Sequence, residues 1–102
     1  MAARRPREDV LEAKGRYLAE ALGGMWVKLK PTSGQSFLPD RAFILPNASG
    51  FIELKRSGER PTPEQLHVLA GLRAAGFEAG WADDMDGLCA FMSAVSTRDK
   101  GK

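Results

Sequence analysis

A helix signal bracketed by two strand signals in the middle of the chain leaves few folds open. Thr62 suits an N-cap, Pro63 suits the first helical position, and Gln65 falls three residues after the cap, the capping-box arrangement. Leu66, Leu69, Ala70 and Leu72 follow at helical spacing, and Gly76 supplies a stop. The pattern predicts a helix over 62–75 with those four side chains as its buried stripe. Before it, 51–56 alternates as a strand, with Ile52 and Leu54 on one face and Glu53 and Lys55 on the other. After it, 77–81 reads as another strand. Strand, helix and strand in that order form a crossover unit whose two strands lie parallel, right-handed by rule.

The remaining segments extend this unit. Residues 7–22 read as a helix with Val10, Leu11, Lys14, Leu18, Ala21 and Leu22 as its stripe, weakened at Gly15 by about 1 kcal/mol and stopped by Gly23 and Gly24. Residues 25–30 alternate as a strand, Met25, Val27 and Leu29 opposite Trp26, Lys28 and Lys30. Residues 31–38 read as a loop and 42–45 as a second strand. The five residues from Pro46 to Gly50 then turn it into a hairpin with 51–56. Asp83 or Asp84 caps a last helix reaching about residue 94, with Met85, Leu88, Cys89 and Met92 on its apolar side. The expected order is α-β-β-β-α-β-α. This is an α/β fold with a central mixed four-stranded sheet flanked by helices, one domain over 1–102 with an ordered core of about 7–95 and polar, frayed ends.

Composition removes several functions. The chain has 102 residues, 43% hydrophobic and 27% charged, as an ordinary globular domain has. Its one cysteine, Cys89, forms no internal disulfide and no cysteine-rich zinc site, and reads as a core filler. A single histidine, His67, leaves little room for histidine-based metal sites. No apolar run approaches the roughly 20 residues of a membrane span, and the basic start Arg4-Arg5-Pro6-Arg7 has no apolar segment behind it. A cytoplasmic location is expected. Net charge is only +2, so partner class rests on where the charges lie.

The chemistry-bearing residues are carboxylates. The hairpin places Asp40, just before its first strand, near Glu53 on its second. Two neighbouring carboxylates repel unless a cation sits between them, and an oxygen donor set favours magnesium or manganese over zinc. Alone, Asp40 also fits a turn and Glu-x-Lys a solvated strand face.

Pro39-Asp40-Arg41, then Phe51-Ile52-Glu53-Leu54-Lys55-Arg56, then Pro61-Thr62-Pro63-Glu64-Gln65 with Leu69 to Gly76, resemble the VRR-Nuc group of the PD-(D/E)xK nuclease superfamily. The similarity runs from about residue 8 to residue 92, is of the stand-alone phage or bacterial type, and implies a restriction-endonuclease-like fold. No valine-arginine-arginine signature is placed, and Gln35-Ser36-Phe37-Leu38 stands where many members carry glycine. The resemblance implies a Mg²⁺- or Mn²⁺-dependent deoxyribonuclease. Asp40, Glu53 and the Leu54 carbonyl would hold the metal, joined by an acidic residue of the first helix, Glu12 or else Glu8. Lys55 would orient water and offset phosphate charge. Gln65 would face the site or serve only the capping box. Lys28 would meet the scissile phosphate or the backbone, with Lys30, Arg41, Arg56 and Arg60 as further DNA contacts. Related stand-alone enzymes are similar to junction-resolving homodimers, so branched DNA is the expected partner. A non-catalytic DNA-binding module and a protein-interaction domain are the alternatives.

Overall fold

The computed structural model describes residues 8–29 and 38–98, with Glu8 described by its backbone only. Lys30, most of the 31–38 loop, the arginines of the N-terminal arm and the last four residues lie outside the described residues. Seven elements run in the order α1 (Glu8–Ala21), β1 (Met25–Lys28), β2 (Arg41–Ile44), β3 (Ser49–Leu54), α2 (Pro63–Ala74), β4 (Glu78–Ala82) and α3 (Met85–Ser96). The sheet order is β1-β2-β3-β4. β1 and β2 pair antiparallel, as do β2 and β3, whereas β3 and β4 are parallel. The mixed sheet and the parallel crossover are those expected from the alternation on either side of the capped helix.

Alternation along the strands sets two faces. Trp26, Phe43, Ile52, Leu54 and Ala82 join Leu11 and Ala19 of α1 and Leu88, Met92 and Val95 of α3 in the main core. Glu53 points away from that cluster by the pleat, toward α2, yet is only 6% exposed. β3 is therefore covered on both sides, as a central strand of a layered α/β fold is.

Two details differ from the sequence reading, each for a packing reason. In α1 the buried line is Leu11, Gly15 and Ala19, while Val10 and Leu22 are exposed. The indole of Trp26 occupies the space beside Gly15, where a Cβ would lie 2.2 Å from a ring carbon. The glycine that costs helix propensity is thus the seat of the core tryptophan. In α2 only Leu69 is buried and Leu66 and Ala70 are exposed, because this helix packs along β4 by one line. α3 continues to Ser96, and its N-cap is Asp84, whose side chain accepts from the Gly87 N–H at 2.7 Å. Asp83 instead accepts from the Gly58 N–H at 3.0 Å.

Candidate functional site

The site lies at one edge of the sheet, where β1, β3 and β4 end and β2 begins. The hairpin register pairs Arg41 with Ile52, so the next step brings Asp40 to the level of Glu53. Asp40 is tied at two points. Its carbonyl accepts from the Leu29 N–H at 2.9 Å, and its Oδ1 accepts from the Leu54 N–H at 3.3 Å. β1 and β3 thus fix the backbone and carboxylate of one residue. Burial raises the Asp40 pKa above its ordinary value. The Arg41 charge, the Leu54 amide and the charge of Lys55 oppose the shift without cancelling it. A carboxylate held in this way has electrostatic room for another cation.

Glu53 faces two partners across the pleat. Gln65 Nε2 donates to Glu53 Oε2 at 3.1 Å, and Lys55 Nζ lies 3.8 Å from the same oxygen. The Gln65 side chain also accepts from the Thr62 N–H at 2.9 Å while the Thr62 hydroxyl accepts from the Gln65 N–H at 3.1 Å. A single amide thus serves the capping box with its oxygen and Glu53 with its nitrogen. Lys55 follows β3 and keeps its side chain only 16% exposed, close enough for its charge to act on Asp40 as well as Glu53. Asp40, Glu53, Lys55, Gln65 and the Leu54 backbone are thus brought together.

Glu12 and Arg41 are paired with each other. Glu12 accepts from Arg41 Nε and pairs with Arg41 Nη2 through one oxygen. Its other oxygen accepts from Trp26 Nε1 at 3.3 Å and Arg16 Nη2 at 3.2 Å. Burial by itself would raise the Glu12 pKa, but hydrogen bonds from Arg41 and Trp26 and the charges of Arg41 and Lys28 outweigh it and hold the carboxyl below its ordinary value. Among the described residues no group of three or more acidic, histidine or cysteine side chains is arranged to hold a metal. The oxygens of Glu12 are engaged by Arg41, Trp26 and Arg16. Arg41 is likewise turned inward. Its side chain is 10% exposed, with Nη1 3.0 Å from the Asp40 carbonyl and 3.6 Å from Asp40 Oδ2. The Arg16–Glu12 spacing was readable as an i, i+4 pair. The pairing of Glu12 with Arg41, 29 residues apart, carries no local signal.

The other basic residues form a rim. Lys28 ends β1, Arg56 follows β3 and Arg60 precedes α2, all exposed and all at the edge that bears Asp40. Lys30 lies outside the described residues. Among the described residues no helix is long and apolar enough to cross a membrane.

Comparison with known proteins agrees with this architecture. A scan against protein-family models finds no match. A curated protein named "Putative nuclease p44", from Acyrthosiphon pisum secondary endosymbiont phage 1, is 36% identical over 91 residues, covering 88% of this chain and 96% of its own length. A solved structure described as a VRR_NUC domain is 27% identical with a TM-score of 0.75, over 84% of this chain and 94% of that one. A mixed sheet carrying an Asp, a Glu-x-Lys strand and a capped helix behind it defines a nuclease-type α/β fold. The chain belongs to the VRR-Nuc family of the PD-(D/E)xK superfamily.

Proposed function

We propose that the chain is a metal-dependent DNA endonuclease, one domain acting as a homodimer on branched DNA, with the four-way junction as its preferred substrate. The observation that carries the reading is the binding of the Asp40 carboxylate to the Leu54 amide, within the peptide run that bears Glu53 and Lys55. The donors present fit magnesium or manganese. They are hard oxygens, and the charge on Asp40 is incompletely compensated. Two carboxylates suffice, because magnesium keeps several waters and is held by one or two carboxylates together with substrate phosphate oxygens. Asp40, Glu53 and the Leu54 carbonyl are the ligands in this reading, and Glu12 is not.

The bound ion would polarise a phosphoryl oxygen and lower the pKa of the attacking water. The chain's own residues do the rest. Gln65 fixes the rotamer of Glu53 through the amide that caps α2. Lys55, its side chain only 16% exposed beside Glu53, places a positive charge where negative charge develops on the phosphate oxygens. Lys28, Arg56 and Arg60 provide backbone affinity that falls with salt. A two-fold pair of chains sets two such sites against two strands, as symmetric cutting of a junction requires.

The test is cleavage of a four-way junction, a flap and a linear duplex, with and without Mg²⁺ or Mn²⁺, by the parent and by Asp40→Ala, with sedimentation to give the oligomeric state. Metal-dependent cutting that is lost in the variant supports the assignment, and the preferred DNA names the substrate. Binding of DNA without cutting points to the non-catalytic module. Cutting by Asp40→Ala at the parent rate rejects the site.

A further inference from the structure

We propose that Arg41 is a positioning residue for Asp40, and that Glu12 serves the site by holding Arg41 rather than by ligating metal. The inference rests on the metal-dependent reading of Asp40 above. Arg41 is the link between α1 and the start of β2. Its Nε and Nη2 are both turned to Glu12, which leaves Nη1 directed at the Asp40 carbonyl at 3.0 Å, with the Asp40 carboxylate 3.6 Å away. The Asp40 carbonyl therefore takes two donors, Arg41 Nη1 and the Leu29 N–H, and the peptide that carries the carboxylate is fixed from both sides. A planar guanidinium reaches two partners in opposite directions from one rigid plane, which a lysine ammonium does not do.

Both oxygens of Glu12 are engaged in this arrangement. Arg41 Nε donates to one oxygen with Nη2 in ion-pair contact beside it, and Trp26 and Arg16 donate one bond each to the other. Three hydrogen bonds and an ion pair take up most of what a carboxylate can accept. Glu12 could reach a metal only by releasing Arg41, and release would leave a guanidinium that is 10% exposed without its hydrogen-bonded acid and with only the Asp40 carboxylate, 3.6 Å away, to offset its charge, which is unfavourable. Trp26 Nε1 holds the second oxygen from the core side, and the ring is itself seated against Gly15 and stacked on Phe43. The clamp thus runs from the core tryptophan through Glu12 and Arg41 to Asp40. The arginine expected to touch DNA is used inward.

The two roles for Glu12 give metal affinities of opposite sign when Arg41 is removed. As a positioning residue, Arg41 lost as Arg41→Met loosens Asp40 and weakens Mn²⁺ binding by about ten- to a hundredfold, the usual range for groups that orient a ligand. As a competitor for a ligating Glu12, its loss frees the carboxylate, and Mn²⁺ binds as tightly as in the parent or more tightly. The second variant is the double change Glu12→Leu with Arg41→Met, which replaces the pair with apolar groups and leaves no buried charge unpaired. It should bind Mn²⁺ as Arg41→Met does, within about threefold. Mn²⁺ affinity is measured by titration calorimetry on the whole chain, beside parent and Asp40→Asn, with thermal melts to confirm folding. Steady-state cleavage then separates positioning from DNA contact: kcat should fall with KM for DNA unchanged. Mn²⁺ binding by Arg41→Met as tight as in the parent or tighter, a further tenfold weakening in the double variant, or a rise in KM alone overturns the proposal. A parent that binds no Mn²⁺, or an Asp40→Asn variant that binds it equally well, overturns the nuclease reading beneath it instead.

Discussion

The side-chain amide of Gln65 is divided between two partners: its Oε1 accepts from the Thr62 N–H at 2.9 Å and its Nε2 donates to Glu53 Oε2 at 3.1 Å. The start of α2 and the orientation of Glu53 therefore depend on one residue, and two substitutions separate them. Gln65→Glu keeps an acceptor for the cap, since glutamate serves equally in a capping box. It also places a carboxylate against Glu53. The cap should be kept, with melting temperature falling only by the cost of setting two carboxylates together, while cleavage falls about ten- to a hundredfold, as expected for losing a hydrogen bond to a charged group. Gln65→Ala should lose both, with about 1 kcal/mol of stability gone as well. Parent-like cleavage by Gln65→Glu would show that the contact with Glu53 has no part in the reaction.

Asp40 carries a cost to folding that the proposed function explains. Its pKa is raised, chiefly by burial, so at neutral pH the folded chain holds a carboxylate that is less comfortable than in the unfolded chain. Asp40→Asn keeps an acceptor for the Leu54 N–H and removes the charge. Urea denaturation at pH 7 without metal should find it more stable than the parent by about 1 kcal/mol, the usual scale for relieving a functional site. Added Mn²⁺ should stabilise the parent and leave the variant unchanged. A less stable variant would mean that the Asp40 charge supports the fold.

Lys55 tests the electrostatic half of the mechanism. Lys55→Ala leaves Asp40 and Glu53 in place, so Mn²⁺ affinity should hold or increase. The loss of preorganised positive charge should cost about 2–4 kcal/mol of transition-state stabilisation, a fall of about thirty- to a thousandfold in kcat. A matching fall in metal affinity would instead assign Lys55 to the geometry of the ion site.

The sequence was legible where the signal is local. The capping box, the Asp40 hairpin and the Glu53–Lys55 alternation depend on neighbours within a few residues, and the structure places them as those patterns require. The α2 stripe was not legible, since periodicity shows that Leu66 and Leu69 share a side of a helix but not how much sheet lies beneath them. Nor was the use of Arg41. An arginine after a motif aspartate looks the same in sequence whether it points outward to phosphate or inward to a glutamate on another element. Gly15 was read as a weakness in α1 because its compensation, Trp26, lies on β1.

Acid pH distinguishes Glu12 from Asp40. Burial alone would raise the Glu12 pKa, but Arg41, Trp26 and Lys28 hold it below its ordinary 4.5. Its ionised form therefore adds stability that is fully present above about pH 4.5 and is lost as pH falls through the lowered folded value. Unfolding free energies of parent and Glu12→Gln, compared from pH 7 down to pH 3, should differ most at the neutral end and converge in acid. Asp40 has the opposite sign, so Asp40→Asn should lose its advantage over the parent in the same range. A gap between parent and Glu12→Gln that stays constant with pH would mean the clamp is held by shape rather than charge.

Gly15→Ala sets helix propensity against packing. In an exposed helix the change would add about 1 kcal/mol of stability. Here the new Cβ would stand 2.2, 2.5 and 2.7 Å from three atoms of the Trp26 ring, which is itself stacked on Phe43 with a centroid separation of 6.4 Å. The ring cannot retreat without disturbing that stack, so overpacking should prevail and the variant should lose about 1–3 kcal/mol. Trp26→Phe removes the outer ring that occupies the space. In that background Gly15→Ala should become neutral or stabilising, although the N–H donated to Glu12 is gone. Melting temperatures of the two single variants and the double variant decide it. A destabilisation by Gly15→Ala that is equal in both backgrounds would show that the tryptophan is not what requires glycine at this position.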